Sequence, residues 1–162
     1  MDAVTTPPVP VNEPNLTYAP GSSEREALLG QLDTLAGTTR QLDAHIGGEW
    51  RPGGGEEIAV VQPHAHQKVL GVLRNRTTAD AEAAIAAAEE AAPAWRALPY
   101  DERAAVLLRA AELLAGPWRQ RLNAATVLGQ SKTAFQAEID AACELIDFWR
   151  FNVHFGREIL AE

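Results

Sequence analysis

Apolar residues recur at helical spacing through the last part of the chain, from Gly129 to Glu162. At about 100° per residue they form two adjacent stripes, which together make an apolar arc roughly 180° wide, broader than the stripe of an ordinary surface helix. The pattern predicts one long helix with the polar lead-in 129–132. The first stripe contains Phe135, Ala142, Ile146, Trp149, Val153 and Leu160, and the second contains Ala141, Leu145, Phe148, Phe155 and Ile159.

Two polar residues, Glu138 and Asn152, interrupt this arc. A carboxylate in apolar surroundings is costly and has a raised pKa unless it is paired, so Glu138 is a candidate functional residue. The alternative is that Glu138 lies near the start of the helix, where its charge favours the helix dipole and it can meet water. Spacing alone favours the alternative.

The only cysteine, Cys143, falls on the polar side of the predicted helix. Its acidic neighbours Asp140, Glu144 and Asp147 should raise the pKa of the thiol, which disfavours a nucleophile. No serine lies in a nucleophile-elbow pattern, and Lys132-Thr133 lacks the glycine spacing of a nucleotide P-loop. The residues by themselves therefore indicate one unusual carboxylate and no complete active site.

Four helices are predicted before the long one. Ser23 and Glu26 form a capping-box pattern for a helix that ends at Gly37, and Thr77 or Thr78 caps a second helix, which Pro93 should bend or end near Trp95. Asp101 is predicted to cap a third, and Gly116-Pro117 separates it from a fourth. The predicted buried positions of the last two are Val106, Leu107, Ala110, Ala111 and Leu114, followed by Trp118, Leu122, Ala125 and Leu128.

The segment between the first two helices predicts a small antiparallel ribbon. Strands are expected around the Gly47-Gly48 turn and over 57–61 and 68–73. Gly53–Gly55 reads as a turn and not as a phosphate-binding loop, because the strand–loop–helix setting is missing. His64 and His66 are only two potential ligands, so no metal site is predicted.

Composition and charge limit the possible functions. The chain has 162 residues, a formal net charge of −8 and one cysteine, which argues against nucleic-acid and anionic-membrane partners and against a disulfide framework. Residues 1–20 hold five prolines and predict an extended arm. With no signal-peptide pattern, we expect a cytoplasmic protein.

Several segments closely resemble the Δ1-pyrroline-5-carboxylate dehydrogenase branch of the aldehyde dehydrogenase superfamily. The resemblance covers nearly the whole chain, and the Gln-Ala-Glu-Ile-Asp run is specific to this branch. The matching segments are Asn12–Pro14, Tyr18–Ser22, Val60–His64, Leu70-Gly71, Arg109–Trp118, Leu128–Thr133, Gln136–Ala142 and Glu144–Asn152.

The resemblance implies that this chain forms part of an α/β superfamily fold. This chain would supply a mostly α-helical part with a small antiparallel β-ribbon, with residues 1–20 as the arm and 21–162 as an incomplete N-terminal portion of the cofactor-binding domain. It implies oxidation of L-glutamate γ-semialdehyde, formed from 1-pyrroline-5-carboxylate, to L-glutamate with NAD in proline catabolism. The full-length enzyme is expected to be a homo-oligomer.

Glu138 matches the family glutamate that faces the substrate end of the active site, near a lysine that precedes the catalytic cysteine. The resemblance implies that this lysine, the nucleophilic cysteine, the general base and the main dinucleotide-binding strands lie beyond residue 162, and Cys143 does not match the nucleophile. We therefore expect no catalytic, cofactor-binding or metal-binding residue in this chain, and NAD binding only by the full-length enzyme.

Three interpretations remain open. The chain is an inactive fragment of an NAD-dependent aldehyde dehydrogenase that needs the remainder of the same polypeptide, or a stand-alone helical module that binds a partner through its last helix. The third, an independent small enzyme, is disfavoured by the missing nucleophile. The lack of a C-cap after Ile159 favours the fragment, and the wide apolar arc predicts exposed aromatic surface at Phe148, Trp149, Phe151 and Phe155.

Overall fold

The computed structural model describes residues 7–161, which form a mostly helical molecule with two small sheets. The first six residues of the predicted arm and Glu162 lie outside the described residues. In chain order the elements are α1 (Ser23–Ala36), β1 (Arg40–Gln41), β2 (Ala44–Ile46), β3 (Glu49–Arg51), β4 (Glu57–Gln62), β5 (Ala65–Arg74), α2 (Thr78–Ala97), α3 (Tyr100–Ala115), α4 (Arg119–Gln130), α5 (Ala134–Ala137), a π-helical segment (Glu138–Cys143) and α6 (Glu144–Ala161).

The single long helix predicted from Gly129 is wrong in two respects. Its lead-in residues Gly129 and Gln130 belong to α4, which ends at Gln130 because the next residue, Ser131, has the left-handed backbone conformation, with φ of 55°. Helical structure restarts after Thr133, which forms a capping box with Gln136. The π-helical segment then interrupts the regular α-helical phase, so residues after it are rotated relative to the predicted stripes.

Two helices, α1 and α3, have N-caps other than the predicted residues. Ser22, not Ser23, accepts from the Arg25 N–H and caps α1. Asp101 lies inside the first turn of α3, whose N-cap is Pro99. The predicted cap Thr77 is confirmed and forms a capping box at the start of α2.

Pro93 does not end α2, which continues to Ala97. A proline inside a helix removes one hydrogen bond to the carbonyl four residues earlier. None of the α2 residues is buried, so water can reach the carbonyl that loses its partner. Of the two expected effects of Pro93, the end of the helix is not observed, and α2 stops two residues after the predicted Trp95.

The predicted buried faces of α3 and α4 are confirmed in part, because Ala111 and Leu114 on α3 and Leu128 on α4 are buried. On α3, Val106 is 55% exposed, and the buried residues are Ala104, Ala111 and Leu114. On α4, the predicted inward residue Trp118 is 49% exposed. The buried residues of α4 are Arg119, Asn123, Ala124, Thr126 and Leu128, and of these Arg119 and Asn123 donate hydrogen bonds to Glu138 of the π-helical segment.

The predicted ribbon divides into two separate sheets. Strands β2 and β3 pair antiparallel across the predicted Gly47-Gly48 turn, whose glycines have φ of 60° and 85°. Strand β5 pairs antiparallel with β4 and parallel with β1, in the order β1-β5-β4. The two-residue strand β1 escaped prediction because it is too short to show a hydrophobic alternation.

Two apolar clusters hold the helices together. One joins the arm residue Tyr18 to α1 and α4, and the other joins α3 to α6 around Ala111, Leu114 and Ile146. The second stripe of the last helix stays exposed at Phe148 (60%). Within residues 7–161, no helix combines the length and apolar character that crossing a membrane requires.

Candidate functional site

Residues 7–19 of the arm form neither helix nor strand and make anchoring contacts on α4, the π-helical segment and α6. Asn12 Nδ2 and the Glu13 N–H each donate to the Asp147 carboxylate on α6, both over 2.7 Å. Tyr18 then turns the chain toward α1 with a φ of 54°, which few non-glycine residues adopt. The arm is therefore fixed by specific polar contacts along most of its length.

Glu138 lies at the centre of these contacts, at the start of the π-helical segment, and is completely buried. Two of its hydrogen bonds come from the arm: the Leu16 N–H donates to Oε1 over 2.7 Å, and the Tyr18 hydroxyl donates to Oε2 over 2.7 Å. Two side chains of α4 complete the set, because Asn123 donates to Oε2 over 2.8 Å and Arg119 pairs with both oxygens. The alternative, in which Glu138 meets water, is wrong.

Arg119 connects Glu138 to a second carboxylate. Its Nη1 donates to Glu13 over 2.5 Å, and its Nη2 donates to the Pro14 carbonyl over 2.7 Å. Glu13 also accepts from Arg150 of α6 over 2.7 Å. Two carboxylates and two guanidinium groups thus alternate in a line between the arm, α4 and α6, and each buried charge has an opposite charge beside it.

The surroundings keep Glu138 ionised. Burial by itself would raise the pKa of this carboxyl, but hydrogen bonds from Arg119, the Leu16 N–H and Tyr18 together hold the pKa below its usual 4.5. Burial and the bond to Glu138 raise the pKa of Tyr18 to about 12, so its hydroxyl stays protonated and able to donate. Because its carboxylate is paired, Glu138 does not have the raised pKa that an unpaired buried carboxyl would have.

Cys143 is buried, not on the polar side as predicted. The π-helical segment turns its sulfur to 3.3 Å from Arg119 Nη2 and 3.6 Å from Glu138 Oε1. Burial and the negative charge of Glu138 raise the pKa of the thiol to about 11. The direction matches the prediction, but the cause is burial beside Glu138 and not the expected acidic neighbours.

The Gly53–Gly55 turn does not fit a dinucleotide phosphate. The Gly54 N–H donates to the Asp80 carboxylate over 3.0 Å, and the Gly55 N–H donates to the Asn75 carbonyl. The bonds that Asp80 accepts from the Thr77 and Gly54 N–H groups lower its pKa to about 2, so a fixed negative charge occupies the turn.

The two histidines lie apart from Glu138. His64 is in the turn between β4 and β5, where its Nδ1 is 2.8 Å from the Ser131 hydroxyl, and His66 is on β5. Among residues 7–161, no three His, Cys, Asp or Glu side chains are grouped as a metal ion would require. Asn152, which interrupts the apolar arc, is exposed.

The fold and the sequence together define the class of protein. The model of the aldehyde dehydrogenase family matches residues 50–162, and the chain belongs to this family. A crystal structure of Δ-pyrroline-5-carboxylate dehydrogenase from Mycobacterium tuberculosis, bound with NAD and cobalamin, superposes with a TM-score of 0.97 and 60% identity. The superposition covers 100% of this chain and 30% of the Mycobacterium tuberculosis chain. The helices and small sheets described above therefore match part of an aldehyde dehydrogenase fold.

Curated relatives carry the same name. Δ1-Pyrroline-5-carboxylate dehydrogenase of Agaricus bisporus is 40% identical over 96% of this chain, and the mitochondrial enzyme of Dictyostelium discoideum is 39% identical over 94%. The chain spans 28% and 27% of the length of these two relatives. The predicted resemblance to this branch of the superfamily is confirmed.

Sequence reasoning singled out Glu138 but missed the residues that surround it. Tyr18 and Glu13 lie more than a hundred positions earlier in a segment without periodicity, so no pattern could join them to Glu138. The available signal was on α4, where Arg119 and Asn123 are four residues apart and share a helix face next to Ala124 and Leu128. Two polar side chains on a buried face need partners of their own.

Proposed function

We propose that this chain contributes to an NAD-dependent dehydrogenase that oxidises L-glutamate γ-semialdehyde to L-glutamate. The observation that supports this best is the 60% identity over the whole chain to a Δ-pyrroline-5-carboxylate dehydrogenase bound with NAD. Because the chain spans about a third of that protein, catalysis would depend on sequence that this chain does not contain. By itself the chain is expected to be inactive and not to bind NAD.

Within that reaction, we propose that Glu138 orders the substrate end of the aldehyde site. The resemblance implies pairing with a lysine that precedes the catalytic cysteine. In the present contacts both oxygens of Glu138 already accept hydrogen bonds, so a lysine ammonium would have to replace one donor. The proposal requires that the carboxylate of Glu138 be charged and held in a fixed position.

Reading the coding DNA beyond the codon for Glu162 tests the proposal directly. A frame that continues into a lysine followed by a cysteine nucleophile is expected, and the longer protein should form NADH from the semialdehyde. In that protein, Glu138→Gln should lower kcat/KM. An in-frame stop at this point, or catalytic efficiency and stability both unchanged in Glu138→Gln, would contradict the proposal.

The second candidate is a non-catalytic module that binds a partner through α6. The exposed side chains Phe148, Phe155 and Ile159, which are 60%, 49% and 71% exposed, favour this interpretation. The same sequencing experiment separates the candidates, because a dehydrogenase requires a longer chain and a module does not. Formation of NADH by the purified chain of 162 residues would exclude both.

A further inference from the structure

The contacts of the arm with Glu138 have no role in the function proposed above. Residues 7–19 make neither a helix nor a strand, yet two of the donors to the buried Glu138 carboxylate come from this segment. The arm and the π-helical segment are more than a hundred residues apart in sequence. The donors therefore reach Glu138 only when the arm is seated.

We propose that the arm is a positioning element for the aldehyde site, in which the Leu16 N–H and the Tyr18 hydroxyl hold the Glu138 carboxylate in one orientation. This inference rests on the proposed role of Glu138. The two donors bind different oxygens of the carboxylate, at 2.7 Å each, and add to the contacts that Arg119 makes with both oxygens. With the arm seated, both oxygens have donors from the arm as well as from α4, which restricts rotation about the last bond of the side chain.

The seating of the arm is itself electrostatic. Glu13 is held between Arg119 and Arg150, and its side chain is only 12% exposed. Arg119 touches both Glu13 and Glu138, so docking of the arm and orientation of Glu138 share one guanidinium group. Loss of the Glu13 charge should consequently disturb Glu138 although the two carboxylates do not touch.

Within residues 7–161, the charged or titratable side chains that surround Glu138 belong to three elements. The arm brings Glu13 and Tyr18, α4 brings Arg119, and the π-helical segment brings Cys143. The pKa values of Tyr18, Arg119 and Cys143 are all raised, so these groups keep their protons while Glu138 titrates. A change in the pKa of Glu138 therefore reports the loss of one of its donors.

The test is a pH titration of the Glu138 side-chain carbon by NMR in the full chain, combined with hydrogen exchange of the Leu16 amide. Tyr18→Phe is expected to raise the pKa of Glu138 and to speed Leu16 exchange by roughly tenfold, because one donor to the charged carboxylate is lost. Tyr100→Phe is the matched control. It also removes one hydroxyl that donates over 2.5 Å, to the Val153 carbonyl, but it lies away from Glu138.

Glu13→Gln is the second variant and covers the case in which Tyr18→Phe fails to fold. It should speed exchange at Leu16, because the arm loses its ionic anchor. If Leu16 exchange in the folded variants equals that in Tyr100→Phe, the arm does not position Glu138 and the inference is overturned. Neither readout needs catalysis, so this result is independent of whether the longer protein oxidises the semialdehyde.

Discussion

At the scale of single residues, the buried pair of Glu138 and Arg119 dominates the molecule. A carboxylate with no exposed surface is tolerated because several donors surround it, and Arg119 is tolerated because two carboxylates contact it. Such an arrangement adds little net stability compared with apolar residues, but removal of one partner leaves an uncompensated buried charge. Single substitutions should therefore be costly.

Glu138→Gln is expected to reduce the unfolding free energy by about 3 kcal/mol, because Arg119 keeps only one of its two carboxylate partners. Urea denaturation measures this change. Arg109→Gln is the control, since Arg109 forms an exposed ion pair with Glu112 and should cost less than about 1 kcal/mol. Equal losses in the two variants would contradict the importance of the buried pair.

The same substitution should change the acidity of the only thiol. The negative charge of Glu138, 3.6 Å from Cys143 Sγ, contributes to the raised pKa of about 11, so Glu138→Gln should lower the pKa of Cys143. Thiolate absorbance against pH measures it, with Cys143→Ser as the blank. A pKa that stays the same or rises would show that burial alone sets the acidity of the thiol.

At the scale of elements, the packing of α3 on α6 depends on one glycine. A Cβ on Gly156 would lie 2.4 Å from the Tyr100 hydroxyl, which donates to the Val153 carbonyl of the same helix. Arg157 next to it stacks over the Tyr100 ring and pairs with Asp101. The absence of a side chain at Gly156 thus lets two helices approach closely.

Gly156→Ala should destabilise the protein by about 2 kcal/mol, because the helices must separate or Tyr100 must lose its hydrogen bond. Thermal unfolding measures the loss. The matched control is Gly30→Ala in α1, where a Cβ meets nothing within 4 Å, and this change should stabilise by about 0.5–1 kcal/mol. Adding Tyr100→Phe to Gly156→Ala should recover part of the loss, and no recovery would refute the proposed clash.

At the scale of the whole molecule, stability should depend on pH in both directions. The pKa of Glu138 in the folded state is below its usual 4.5, so its contribution is present above about pH 4.5 and is lost as the pH falls through the folded-state pKa. The pKa of Cys143 is raised from 9.0 to about 11, so the preference for its neutral thiol is lost as the pH rises across that range.

We therefore expect the difference in unfolding free energy between the unmodified chain and Glu138→Gln to narrow below pH 4.5. Between pH 9 and pH 11, the unfolding free energy of Cys143→Ala should decrease less with rising pH than that of the unmodified chain. Urea denaturation at several pH values measures both. A difference that stays constant from pH 6 to pH 3 would show that Glu138 is not held ionised by the fold.

The whole molecule also presents apolar side chains on α6. Of the four aromatic residues predicted to be exposed, Phe148 and Phe155 are exposed, whereas Trp149 and Phe151 are half-buried. Phe148→Ser and Ile159→Ser should weaken self-association at high concentration while they change stability by less than about 0.5 kcal/mol. Sedimentation velocity measures the association. Ile85→Ser on α2 is the control, because Ile85 is 60% exposed but lies on another helix. An equal effect of the control would exclude a specific face.

Local chemistry was sufficient to predict several features of this protein. The helical composition, the Thr77 cap, the Gly47-Gly48 turn and the unusual position of Glu138 all follow from residues within a few positions of each other. The family membership also follows from the sequence alone, since its segments occur in order along the chain. Local propensities and short-range capping contacts do not depend on how distant segments meet.

Only the tertiary structure decided what Glu138 touches and on which side Cys143 lies. The arm has no periodicity, so its docking on Arg119 and Arg150 depends on side chains that approach from three distant segments. The π-helical segment rotates the helix phase by an amount that spacing at 100° per residue cannot show. Charge pairs between distant segments depend on the folded geometry, and that geometry places the arm beside the buried carboxylate.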